Sequence, residues 1–152
     1  MVIGIYDINK KNNLLEKREM AEIINKLEKL SEIQFLQFIN PTEEYVEALN
    51  KIYKYEYPIK CVIDRNLEKG IAIENIINSL KLPDSRQKVI IPNVMNSKYW
   101  VELEIFSYRE LLFSFYKNGY FVNSTLIDTK NKFIFDIEAG EENYEIRLLE
   151  IL

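Results

Sequence analysis

The sequence predicts an α/β protein with α+β character in its second half, built as a single domain over residues 1–152 on a mixed sheet. Three observations carry that expectation. Up to Pro83, short apolar runs alternate with stretches whose apolar residues recur every three or four positions, which is the pattern of a βαβαβα half with partly parallel strands. After Gly119 the apolar runs follow one another across short turns, as in an antiparallel C-terminal meander. No linker, repeat or low-complexity segment interrupts the 152 residues, a length suited to one domain.

Taken in order, Val2 to Tyr6 reads as a buried strand closed by the polar turn Asn9 to Asn13. Met20, Ile23, Ile24, Leu27 and Leu30 then give one face of a helix. Ile33 to Ile39 is short and nearly all apolar, a strand stopped by Asn40-Pro41. Thr42, followed by Glu43 and Glu44, starts a second helix with Tyr45, Ala48, Leu49 and Ile52 on its inner stripe. Ile59 to Ile63 is the third strand. Gly70 precedes a third helix carrying Ile73, Ile76, Ile77 and Leu80, and Pro83 ends it. Lys88 to Ile91 is a short strand. From Tyr99 to Phe106, Tyr99, Val101, Leu103 and Ile105 alternate with Trp100, Glu102, Glu104 and Phe106, so the second set is assigned to a wetter face. Tyr108, Leu111, Leu112 and Phe115 mark a fourth helix, closed at Asn118-Gly119. Tyr120 to Ile127, Lys132 to Glu138 and Tyr144 to Leu152 complete the meander.

Composition removes several chemistries. The chain has no histidine, which excludes imidazole general bases, Ser-His-Asp and Cys-His catalysis, and histidine metal sites. Its lone cysteine, Cys61, lies in a strand-like run and reads as a small buried hydrophobe. The four glycines, Gly4, Gly70, Gly119 and Gly140, are too scattered for a phosphate-binding loop, and no serine sits in a Gly-x-Ser-x-Gly elbow. No apolar stretch approaches the ~18 residues of a membrane helix, and Asp7 interrupts the apolar start. A cytoplasmic protein is expected, without cofactor and without a nucleic-acid or membrane partner.

Asp7 after the first strand and Asp64 after the third would share the carboxyl edge of a parallel sheet, where two acids could hold magnesium for phosphoryl transfer or a switch. The plainer reading is that both start turns, with Arg65 beside Asp64 as a local ion pair. Tyr53, Tyr55 and Tyr57 read as caps on the core that hydrogen-bond locally.

Charge gives the more specific expectation. The net charge is −4, yet from Phe133 onward six acids (Asp136, Glu138, Glu141, Glu142, Glu145 and Glu150) face Arg147 alone. Asp136 and Glu138 alternate with Phe133, Phe135 and Ile137, which puts both acids on the outer face of the meander, with Glu145 and Arg147 facing out beside them. Such a face discourages edge aggregation, and it also suits docking of a basic protein. The sequence therefore points to a non-catalytic binding protein of the immunity or antitoxin type, neutralising a basic toxin such as a nuclease. Its expected contact residues are Trp100, Glu102, Glu104, Asp136, Glu138, Glu141, Glu142 and Glu145. The alternatives are the Asp7/Asp64 metal enzyme or switch and a structural subunit of a homo-oligomer. The sequence leaves the oligomeric state open.

Overall fold

The computed structural model describes residues 5–28, 33–54, 56–93, 98–117, 120–121 and 123–151. Helix α1 spans Ile5–Glu28, and strand β1 spans Ile33–Ile39. Helix α2 (Glu43–Ile52), strand β2 (Cys61–Asp64) and helix α3 (Lys69–Leu80) follow. Then come β3 (Gln87–Ile91), β4 (Trp100–Ile105) and α4 (Tyr108–Phe115). A small pair, β5 (Tyr116–Lys117) and β6 (Tyr120–Phe121), precedes β7 (Ser124–Asp128), β8 (Phe133–Ala139) and β9 (Asn143–Glu150).

One seven-stranded sheet, ordered β1-β4-β3-β7-β8-β9-β2, joins strands drawn from residue 33 to residue 150. Every pairing in it is antiparallel, so the architecture is α+β. The mixed sheet expected for the first half is thus corrected. Strands β1, β3 and β2 hold the first, third and seventh places in an alternating sheet, so they do run in one direction. They never become neighbours, because β4 and the β7–β9 meander insert between them. Apolar periodicity encodes that a segment is a strand but says nothing about adjacency.

The first strand is a second correction. Residues 1–4 fall outside the described residues, and the chain is helical from Ile5 through Glu28. No glycine or proline breaks these 24 residues. The asparagines read as a turn cost a helix only about 0.7 kcal/mol or less each relative to alanine, too little to end it. Similarly, the fourth helix ends at Phe115, and Tyr116–Lys117 pairs back with Tyr120–Phe121 before β7 begins. The predicted stop, Asn118-Gly119, lies outside the described residues.

Strand alternation sends apolar side chains to both faces. On one face Val89, Val101, Leu103, Ile105, Leu126, Phe135, Ile137 and Ile146 pack against α3 and α4 and against Ile23 of α1. On the other, Ile90, Trp100, Ile127, Ile134 and Leu149 lie beneath Ala48, Leu49 and Ile52 of α2. A register shift between Phe35 and Gln37 turns Phe35 and Phe38 to the same face of β1, where their rings meet edge-on at 5.1 Å. Ser107 caps α4 by accepting from the Glu110 backbone N–H at 3.3 Å. Among the described residues no helix is long and apolar enough to cross a membrane.

Candidate functional site

Among the described residues α2 is the only helix over the second face, and its stripe reaches just part of it. Beyond α2 the register sets Thr125, Asp136 and Arg147 directly opposite one another on β7, β8 and β9. The segment leaving α2 closes over this row. Tyr53 donates its hydroxyl to Thr125 Oγ1 at 2.8 Å, and that hydroxyl donates in turn to Asp136 Oδ1 at 2.7 Å. The Tyr57 hydroxyl donates to the Leu148 carbonyl at 3.2 Å. The expected local hydrogen bonds are thus corrected: both tyrosines bond across the fold, to strands 72 and 91 residues further on, and Tyr55 lies outside the described residues.

Arg147 was expected to face outward, but it is only 7% exposed. Tyr57 lies against it, and the Arg147 Nε donates to the Tyr57 carbonyl at 3.3 Å. Its two terminal nitrogens reach Glu138 at 3.0 Å and Glu145 at 3.2 Å. These two glutamates are register partners, so two like charges stand opposite each other on adjacent strands, which is destabilising without a bridge. Arg147 is that bridge, and the outer parts of both carboxylates stay open to solvent.

Burial pushes the Asp136 carboxyl above its usual range, and nearby Glu138 pushes the same way, while the Thr125 hydrogen bond and Arg147 pull it down. A carboxyl raised in the folded state contributes stability that is complete below its unfolded value and is lost as pH rises through its folded one. Asp136→Asn does not ionise and can still accept from Thr125. It is expected to be slightly more stable than the wild type at pH 7 and to lose that advantage below about pH 4. Urea unfolding at both pH values checks this.

Glu141 and Glu142 occupy the β8–β9 turn and are exposed. Gly140 fits this turn because a Cβ there would stand 3.0 Å from the Asn143 carbonyl oxygen. Arg65 fastens the turn from the next strand: its backbone N–H donates to the Glu142 carbonyl at 3.1 Å, and its guanidinium donates to the carbonyls of Gly140 and Glu141. The turn's backbone is thereby fixed. Asp136, Glu138, Glu141, Glu142 and Glu145 thus gather at one end of the β8–β9 hairpin.

The remaining expected contact residues separate from these. Trp100 is 4% exposed, packed under α2 with its indole N–H donating to Asn93 at 3.2 Å, so its placement on a wet face is corrected. Alternation assigned the face rightly, but that face carries a core of its own. Glu102 accepts from Gln37 at 3.2 Å, and Glu104 pairs with Arg86 at 3.0 Å. Their strand, β4, stands three strands from β8, about 14 Å away.

Asp7 lies in α1, not at the end of a strand, and its side chain is outside the described residues. Asp64 closes β2 and accepts from the Asn66 backbone N–H at 2.8 Å, a local turn bond. The shared carboxyl edge that would have paired these acids does not form. Among the described residues no group of three or more His, Cys, Asp or Glu side chains could hold a metal ion. Cys61 is half-buried, and burial pushes its thiol up.

A buried polar cluster escaped the sequence reading. Asp128, fully buried, accepts from the Tyr108 hydroxyl at 2.6 Å and from both the backbone N–H and the side-chain amide of Asn131, each at 2.9 Å. Asn131 also donates to Gln87 at 3.2 Å, and Gln87 to Ser85 at 2.7 Å. Burial, reinforced by Asp128, pushes the Tyr108 phenol far above the ordinary tyrosine value and keeps it protonated. The sequence signal for this cluster is the polar run Asp128-Thr129-Lys130-Asn131 between two apolar strands, which by itself indicates a turn and not a buried carboxylate. Compared with protein-family models, curated proteins and solved structures, the chain matches none.

Proposed function

We propose that this chain is a non-catalytic, cytoplasmic protein-binding protein of the immunity or antitoxin type, which neutralises a basic toxin such as a nuclease. The observation that supports it best is the opposed pair Glu138 and Glu145 at the end of the β8–β9 hairpin. Their mutual repulsion is offset by Arg147 from below, and a cationic side chain from a partner would offset it from above. Glu141 and Glu142 extend the acidic surface across a turn that Arg65 holds rigid, so little ordering is needed on docking. The contact set is accordingly narrowed to the hairpin acids, with Trp100 acting as support beneath α2 and not as a contact.

The test begins with capture of partners from the source cell's lysate at low and moderate salt. The expected result is one basic protein, released more readily as salt rises, whose activity the purified chain inhibits stoichiometrically. Reversing Glu138 and Glu142 together to lysine should then slow association about tenfold or more at low salt, with a smaller effect on dissociation. An empty capture, or association unchanged in that variant, would overturn the reading.

A further inference from the structure

The end of the β8–β9 hairpin remote from its acids has the opposite character. There Lys60, Lys81 and Lys132 rim an open cleft of about 630 Å³ between the end of α3 and the sheet, with Phe133 and Leu148 on its apolar wall and Glu150 as its acid. All three lysines are exposed, and none forms an ion pair among the described residues. In a chain of net charge −4, three unpaired cations around one concavity form a local reversal of sign.

Two of these lysines stand where lysine is disfavoured. Lys81 has φ 53° and Lys132 φ 58°, in the left-handed region where glycine or asparagine is the low-energy choice. Asn93, the third such non-glycine residue among those described, follows that preference. A lysine at the end of α3 also complements the helix dipole, but any position in the last turn would serve that purpose, and Lys132 is on no helix. Backbone strain held at two walls of one cleft marks a place where the side chain matters more than local stability.

We propose that this cleft binds a small organic phosphate monoester carrying an aromatic ring, with the phosphate held among Lys60, Lys81 and Lys132 and the ring against Phe133. The cleft's size lies within the range of small-ligand sites, and lysine is a flexible point charge suited to a doubly charged phosphate. The Phe133 wall of the cleft stands about 17 Å along β8 from Glu138, so the opposed pair Glu138 and Glu145 is not part of its lining.

The test is calorimetric titration of the full chain with adenosine monophosphate, inorganic phosphate and adenosine as probes. Adenosine monophosphate is expected to bind more tightly than either fragment, and more weakly as salt rises. In Lys81→Asn/Lys132→Asn both left-handed positions gain a residue suited to them. This variant should melt at an equal or higher temperature while its affinity for adenosine monophosphate falls roughly tenfold per lysine removed. Lys60→Gln, at a position without strain, should lower affinity and leave melting unchanged. Absence of binding by adenosine monophosphate at millimolar concentration would overturn the proposal. So would equal affinity for inorganic phosphate, or an affinity that survives both variants.

Discussion

Asp128→Ala is expected to destabilise the fold by about 3–5 kcal/mol, a large part of the ~5–15 kcal/mol that holds a typical domain together. Asp128 is fully buried and is the common acceptor for the Tyr108 hydroxyl and for two N–H groups of Asn131. Alanine would leave the Tyr108 hydroxyl as a buried orphan, at about 1–3 kcal/mol, and would release the exposed Asn131, whose backbone and side-chain N–H groups tie the β7–β8 turn to this carboxylate. Tyr108→Phe removes one donor and leaves the carboxylate with Asn131, so a loss nearer 1–2 kcal/mol is expected. The double variant should lose less than the two single losses combined, because the hydroxyl has nothing left to miss. Urea unfolding followed by circular dichroism measures all three. If Asp128→Ala costs less than ~1 kcal/mol, the carboxylate is not the hub of this end of the core.

Trp100→Ala is expected to cost about 3–5 kcal/mol, because a buried tryptophan cannot be truncated without leaving a cavity. Trp100 packs with Ile90, Ile127 and the α2 stripe, and among the described residues it is the only buried aromatic ring of that second core. Since the chain has a single tryptophan, its native fluorescence should be blue-shifted and poorly quenched by acrylamide. Trp100→Phe should retain most of the stability and leave partner association unchanged. Red-shifted, easily quenched native emission would contradict the packing. Slower association in Trp100→Phe would return this residue to the contact surface.

Much of the secondary structure was legible because it depends on local pattern. Thr42 with two following glutamates did begin α2, Pro83 did follow the end of α3, and the last two strands fell close to their expected limits, whereas the expected strand Tyr120–Ile127 divides into Tyr120–Phe121, paired with Tyr116–Lys117, and Ser124–Asp128 in the main sheet. A further signal, Ser107 with Glu110 three positions on, marks the cap of α4. Pairing was not legible. Nothing local in Ile33–Ile39 says that it will lie beside Trp100–Ile105, and nothing local in Cys61–Asp64 selects Asn143–Glu150 as its neighbour. The surface shared this limit. The spacing of Asp136 and Glu138 gave their common face, but whether Trp100 on that face is wet depends on where α2 lands, which is a tertiary fact. Arg147 shows the same limit: alternation fixes a side, and the contacts of Tyr57 with Arg147 and Leu148 decide that the side is covered.

The separation of β1, β2 and β3 also sets a timetable for the growing chain. Strand β1 has no sheet neighbour until Trp100–Ile105 exists, and β2 has none until Asn143–Glu150 has emerged, some eighty residues after β2 itself. During synthesis the first half can form helices but no sheet, so its apolar strands must wait without partners while the rest is made. Closing such long loops before any contact rewards them slows folding, and it leaves the uncharged run Ile33–Ile39 exposed to neighbours in the meantime. The last strand completes the sheet, and β2 can dock only after it arrives.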